Sequence, residues 1–130
     1  MTVRLRRLAA VVAPLVAGLV LVACGGGGSG DSAYVQPKGP AKETISLSAK
    51  NFSFTPDKIT TKAGIAKIEL TGEGGLHTLV FDHAFPGFQL EVEGNTTSSK
   101  KVDLKPGKYT FYCDVTGHRQ AGMEGTITVK

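Results

Sequence analysis

From Ile45 to Val129 the apolar residues of this chain fall on alternate positions, in short runs closed by turn residues. Ile45, Leu47 and Ala49 alternate with serine and threonine, Phe52 and Phe54 follow, and Pro56-Asp57 makes a turn before Ile59. After Lys62-Ala63-Gly64, the residues Ala66, Ile68 and Leu70 alternate with Lys67, Glu69 and Thr71, and residues 72–75 break the run. His77, Leu79 and Phe81 then share one face, with Thr78 and Val80 on the other. Leu90 with Val92, and Val102 with Leu104, suggest two more strands. Lys105-Pro106-Gly107 turns the chain into Tyr109, Phe111 and Cys113, and Ile127 and Val129 close it. A period of two is the signature of half-buried strands. No helical period lasts beyond a turn or two, although residues 85–93 have room for a short helical piece. About seven to eight short strands joined by turns predict an all-β sandwich or barrel, with neither repeats nor a second domain.

The first residues are a different kind of sequence. Residues 1–23 hold Arg4, Arg6 and Arg7, then an apolar run interrupted by Pro14 and Gly18. This is the pattern of a secretory signal peptide, and the run is short for a membrane span of ~20 residues. Leu21-Val22-Ala23-Cys24 resembles the bacterial lipoprotein box, which implies cleavage before Cys24 and a lipid on its sulfur. Residues 24–42, rich in glycine and proline, are expected to be a flexible tether spanning roughly 20 to 25 Å. Residues 43–130 are the expected domain. Without the leader the formal charge falls from +4 to about +1, with lysines and acids interspersed, so no basic stripe suggests nucleic acid.

Two cysteines are present, and with Cys24 given to lipid, Cys113 has no partner in an oxidising compartment. Ligation to a metal holds such a sulfur as thiolate and shields it; a small buried hydrophobe is the plainer reading. The neighbours favour the metal. Cys113, His118 and Met123 follow one another at intervals of five along one loop, so a tight turn can gather a thiolate, an imidazole and a thioether. Three histidines are available. Strand alternation points both His77 and Cys113 inward, at strand ends that meet if the strands are neighbours, whereas His83 lies past its strand and is expected on the surface. Two imidazoles, a thiolate and a weak axial thioether form the blue-copper donor set; zinc accepts cysteine and histidine but seldom methionine. Gly122 and Gly125 free the backbone to fold Met123 back.

The segments Leu76-His77-Thr78-Leu79-Val80-Phe81-Asp82, Pro106-Gly107-x-Tyr109-x-Phe111-x-Cys113 and Cys113-x4-His118-x4-Met123-x-Gly125 resemble the cupredoxins of the plastocyanin, azurin and auracyanin superfamily. The resemblance implies a Greek-key β-sandwich with one type 1 copper at one end, held by His77, Cys113, His118 and Met123. Two positions depart from the family: Thr78 stands where asparagine is frequent, and Asp114 where serine or threonine is. A hydrogen bond from the Thr78 hydroxyl to the Asp114 carboxylate is the expected replacement for the usual tie between ligand strands, and the charge of Asp114 is expected to favour Cu(II).

These features imply an exported electron carrier, held by lipid to the outer face of the cytoplasmic membrane, that exchanges single electrons with redox protein partners as a monomer. His118 is the expected electron edge, set in a patch of Leu76, Phe85, Pro86, Ala121 and Gly122. Arg119 beside it is expected to favour acidic partners. Blue-copper enzymes need additional histidines or a second loop cysteine, which the chain lacks, and no acid–base or nucleophile set stands out. A surface copper carrier that delivers the ion remains the alternative.

Overall fold

The computed structural model describes residues 33–130; the expected signal peptide and the proposed lipidation at Cys24 lie outside them. Nine strands run in chain order: β1 (Glu43–Lys50), β2 (Ser53–Thr55), β3 (Lys58–Thr61), β4 (Gly64–Gly72), β5 (Leu76–Phe81), β6 (Leu90–Glu93), β7 (Thr97–Leu104), β8 (Gly107–Tyr112) and β9 (Glu124–Val129). They form two sheets, ordered β2-β1-β4-β7 and β3-β9-β8-β5-β6. Pairing is antiparallel except for β1 with β4 and β3 with β9. The expected all-β sandwich is thus the fold.

Alternation decides which side chains fill the sandwich. Along β4, Ala66, Ile68 and Leu70 are buried and the residues between them are not. They meet Leu79, Phe111 and Ile127 of the other sheet in one core, with the Phe54 ring edge-on to Phe111 at 5.2 Å across the gap.

Residues 85–93 are not helical. His83 and Phe85 have φ of 57° and 48°, and Gly87 has 77°; a right-handed helix cannot pass through such positions. The segment is a folded loop, closed by Phe88 N–H donating to Phe85 C=O at 2.9 Å, that leads into β6. Phe52 also leaves the expected pattern. With φ of 67° it turns away from the core face that Phe54 occupies, and it is 48% exposed.

Residues 33–42 form no strand, yet they lie against the domain. The Tyr34 ring stands edge-on to Phe88 at 5.1 Å, and its hydroxyl donates to Lys101 C=O at 2.9 Å. Gln36 accepts from Lys101 N–H at 2.7 Å, and the Lys101 ammonium donates to Gly39 C=O at 2.7 Å. β7 is the edge of its sheet, and such an edge presents unpaired backbone groups. This strap uses them, which the glycine and proline content of the segment concealed.

Candidate metal centre

His77, Cys113 and His118 converge at one end of the sandwich. β5 delivers His77 at its second residue, β8 ends just before Cys113, and His118 comes from the loop between β8 and β9. Their donor atoms all lie within 4.8 Å of one another, and Cys113 Sγ is 3.4 Å from His118 Nδ1. The pairing of Val80 with Tyr112 and Phe81 with Phe111 makes β5 and β8 neighbours, so the two inward-facing residues meet as alternation requires.

His77 is 1% exposed. Its Nε2 is 3.0 Å from Gly74 C=O, an acceptor, so Nε2 carries the proton and Nδ1 keeps a lone pair. Nδ1 is buried without a hydrogen-bond partner. Burial holds the imidazole pKa below its ordinary value; the Gly74 bond acts against that and the nearby His118 adds to it. A neutral, oriented imidazole with an unused lone pair beside a buried thiol fits a metal ion, which supplies the missing partner.

Cys113 is fully buried. Its sulfur accepts the Thr78 backbone N–H at 3.4 Å. The Thr78 hydroxyl accepts Asp114 N–H at 2.9 Å and donates to the Asp114 carboxylate. The same oxygen is 3.6 Å from Cys113 Sγ, but one hydrogen serves one acceptor, and the carboxylate is the stronger.

Met123 is fully buried as well. Its C=O accepts Cys113 N–H at 3.1 Å and its N–H donates to His118 C=O at 3.0 Å, so its backbone is locked to both neighbours. Gly122 before it has φ of 101°, a conformation that favours glycine. Gly125 is glycine for a different reason: a Cβ there would stand 2.3 Å from the Phe111 ring and 2.6 Å from Asp57 C=O. His83 lies outside the cluster, its side chain 95% exposed and 3.2 Å from Asp82.

Two neighbours of His118 differ from expectation. Phe85 stacks on Tyr109 at 5.4 Å and packs against Phe81, down the flank of the sandwich. Phe52 is the aromatic residue beside His118 instead, edge-on at 5.1 Å. Arg119 is also not a free charge. It donates to Asp82 at 2.9 Å and to Glu124 at 2.7 Å and lies 3.9 Å over the Tyr112 ring. Its bond to Asp82 raises the guanidinium pKa and holds the Asp82 carboxyl below the usual range.

A two-sheet sandwich that closes one end over an imidazole, a thiol and a second imidazole defines a class of small proteins built around a single metal ion. The chain belongs to the cupredoxin-like domain family, which it matches over residues 17–129. It is 40% identical to a plastocyanin of Dryopteris crassirhizoma over 105 residues, 69% of this chain and all of that one. A plastocyanin of Prochlorothrix hollandica is 36% identical over 84 residues, 59% of this chain and 63% of the relative. Among solved structures, auracyanin A, a "blue" copper protein from the green thermophilic photosynthetic bacterium Chloroflexus aurantiacus, superposes with a TM-score of 0.56 at 18% identity, covering 67% of this chain and 98% of that one. This likeness shares the fold.

Proposed function

We propose that this cupredoxin is an exported electron carrier, with one copper ion ligated by His77, Cys113, His118 and Met123, and with a lipid on Cys24 holding it to the outer face of the cytoplasmic membrane. The observation that carries the reading is the buried, unpartnered Nδ1 of His77 beside the Cys113 sulfur. Bound copper supplies one-electron chemistry, Cu(II) to Cu(I) and back.

The chain's own residues make that exchange inexpensive. Gly74 fixes the His77 ring and Thr78 fixes the Cys113 sulfur through backbone bonds, so the donors are set before any electron arrives. Burial of Cys113 and Met123 keeps water from the donor set. His118 is the half-buried member; the exposed Phe52 stands edge-on to it, Ala121 and Gly122 are exposed in the same loop, and Leu76 is exposed next to His77. That apolar rim lets a redox partner approach the imidazole edge closely. The leader of the sequence supports export, and relatives named plastocyanin support electron transfer over copper delivery.

Addition of one equivalent of Cu(II) to the protein is expected to give an intense red absorption band and a narrow copper hyperfine splitting, both lost in Cys113→Ser. Rapid electron exchange with slow copper loss is the expected behaviour. A pale spectrum indifferent to Cys113→Ser refutes the site, and fast copper transfer to an acceptor chelator refutes the electron-carrier role. Palmitate labelling of the expressed full chain, lost in Cys24→Ala, tests the anchor.

A further inference from the structure

The guanidinium of Arg119 touches or adjoins every segment that carries a proposed ligand. It follows His118 directly. Its Nε donates to Glu124, the residue after Met123, and its Cζ lies 3.9 Å from the ring centroid of Tyr112, the residue before Cys113. Its Nη2 donates to Asp82, just past the end of β5, the strand that carries His77. The loop between β8 and β9 is otherwise tied to β5 through side chains only at its start, by the Thr78–Asp114 pair and by the Thr78 N–H to the Cys113 sulfur. Beyond the Cys113 N–H to Met123 C=O bond that closes the loop at its base, the backbone bonds of its middle stay within the loop, such as His118 N–H to Val115 C=O and Gly122 N–H to Arg119 C=O.

We infer that Arg119 is a positioning residue: by bridging Asp82, Glu124 and the Tyr112 ring it pins the middle of the ligand loop to β5 and β9 and so fixes where His118 sits. The inference rests on the reading of Cys113, His118 and Met123 as copper ligands. A charge shared between two carboxylates and an aromatic face is spent inside the molecule, which leaves little of it for recruiting an acidic partner. The forked guanidinium is required, because a lysine ammonium is a point charge that cannot reach both carboxylates at once while staying over the ring.

Amide hydrogen exchange on the metal-free full chain tests the pin without any copper. Three variants are compared: Arg119→Gln, Arg119→Lys, and the double variant Asp82→Asn/Glu124→Gln, which keeps the arginine and removes its partners. Exchange at Ala121, Gly122 and Met123 is expected to rise about tenfold in the glutamine and double variants, to a lesser extent in the lysine variant, and not at all in β4. With Cu(II) added, the glutamine and double variants are expected to shift the red band and release copper several-fold faster. Wild-type exchange and an unchanged spectrum in the double variant overturn the proposal. Absence of a red band in the wild-type chain instead overturns the copper reading, and the exchange data then still decide whether Arg119 holds the loop.

Discussion

One oxygen of Thr78 accepts from the Asp114 backbone and donates to the Asp114 side chain. Thr78→Val removes both bonds while keeping the side-chain shape and the backbone N–H to sulfur. The expected result is a loss of about 1 kcal/mol in the metal-free protein by urea unfolding, together with faster copper loss and a shifted reduction potential. Unchanged copper retention and potential would refute this role. Asp82 gives a pH dependence with a definite sign. Its bond to Arg119 lowers its carboxyl pKa in the folded state, so the pair contributes fully above the ordinary carboxylate value of about 4 and is lost as pH falls through the depressed one. The stability difference between wild type and Asp82→Asn should therefore be flat at neutral pH and disappear in acid, as thermal melts across pH would report. At this scale the sequence was readable wherever one strand's alternation was enough. His77 faces inward and His83 does not. The pairing of Arg119 with Asp82 was hidden, because the partners lie 37 positions apart and meet only when β5 and β8 are laid side by side.

β9 shows how a strand can be set by its neighbour instead of by its own pattern. Gly125 opposes Phe111 in the β8–β9 ladder, and the phenyl ring occupies the space of a side chain. Backbone and a fully buried ring are the obstacles, so neither yields cheaply. Gly125→Ala is expected to destabilise the fold by about 1–3 kcal/mol, read as a lower melting temperature, and to disturb Met123 two residues away; a melt within a degree of wild type would count against the close approach. The strap of residues 33–42 belongs to this scale too. Tyr34→Phe keeps the ring against Phe88 and deletes the bond to Lys101 C=O, with an expected cost of about 0.5–1.5 kcal/mol by urea unfolding. Strand positions were legible because burial alternates cleanly in β1 and β4; in β5 His77, Leu79 and Phe81 are buried as their shared face requires, but Thr78 between them is buried too. The loop before β6 was not, since its conformation comes from positive φ at His83 and Phe85, residues that do not announce it as glycine would. Phe52 was misplaced for the same reason.

Charge is distributed unevenly over the whole molecule, a fact that the near-neutral sum conceals. Glu73 adjoins the Gly74 that orients His77, Glu91 pairs with Thr78 and Glu93 with Leu76 across β5 and β6, and Asp114 and Glu124 bracket the ligand loop. The cations near these acids are Lys50, 3.9 Å from Glu73, the doubly paired Arg119, Lys100 in the same surface pocket as Glu91 and Asp114, and Lys58, which pairs with Thr126 near the start of β9. At the opposite end stand the exposed Lys42, Lys62, Lys105, Lys108 and Lys130, near where β4 begins and β9 finishes. With Asp82 counted as well, the named acids at this end outnumber the named cations, so a modestly negative surface is expected around His118 and the exposed Phe52 beside it. On that charge balance a redox partner with a basic face is expected to be steered in and an acidic one slowed, the opposite of the preference expected from Arg119 alone. Small reagents can read the field without a natural partner. The reduced copper protein should be oxidised by a cationic cobalt ammine at rates that fall as salt rises, and by an anionic cyanoiron complex at rates that rise, because exposed charges are screened beyond about 10 Å at 0.1 M salt. In Glu73→Gln/Glu93→Gln both salt slopes should flatten while the visible spectrum stays fixed. Identical salt dependence for the two reagents in the wild-type protein would mean that the field at the copper end is neutral and that the apolar rim alone selects the partner.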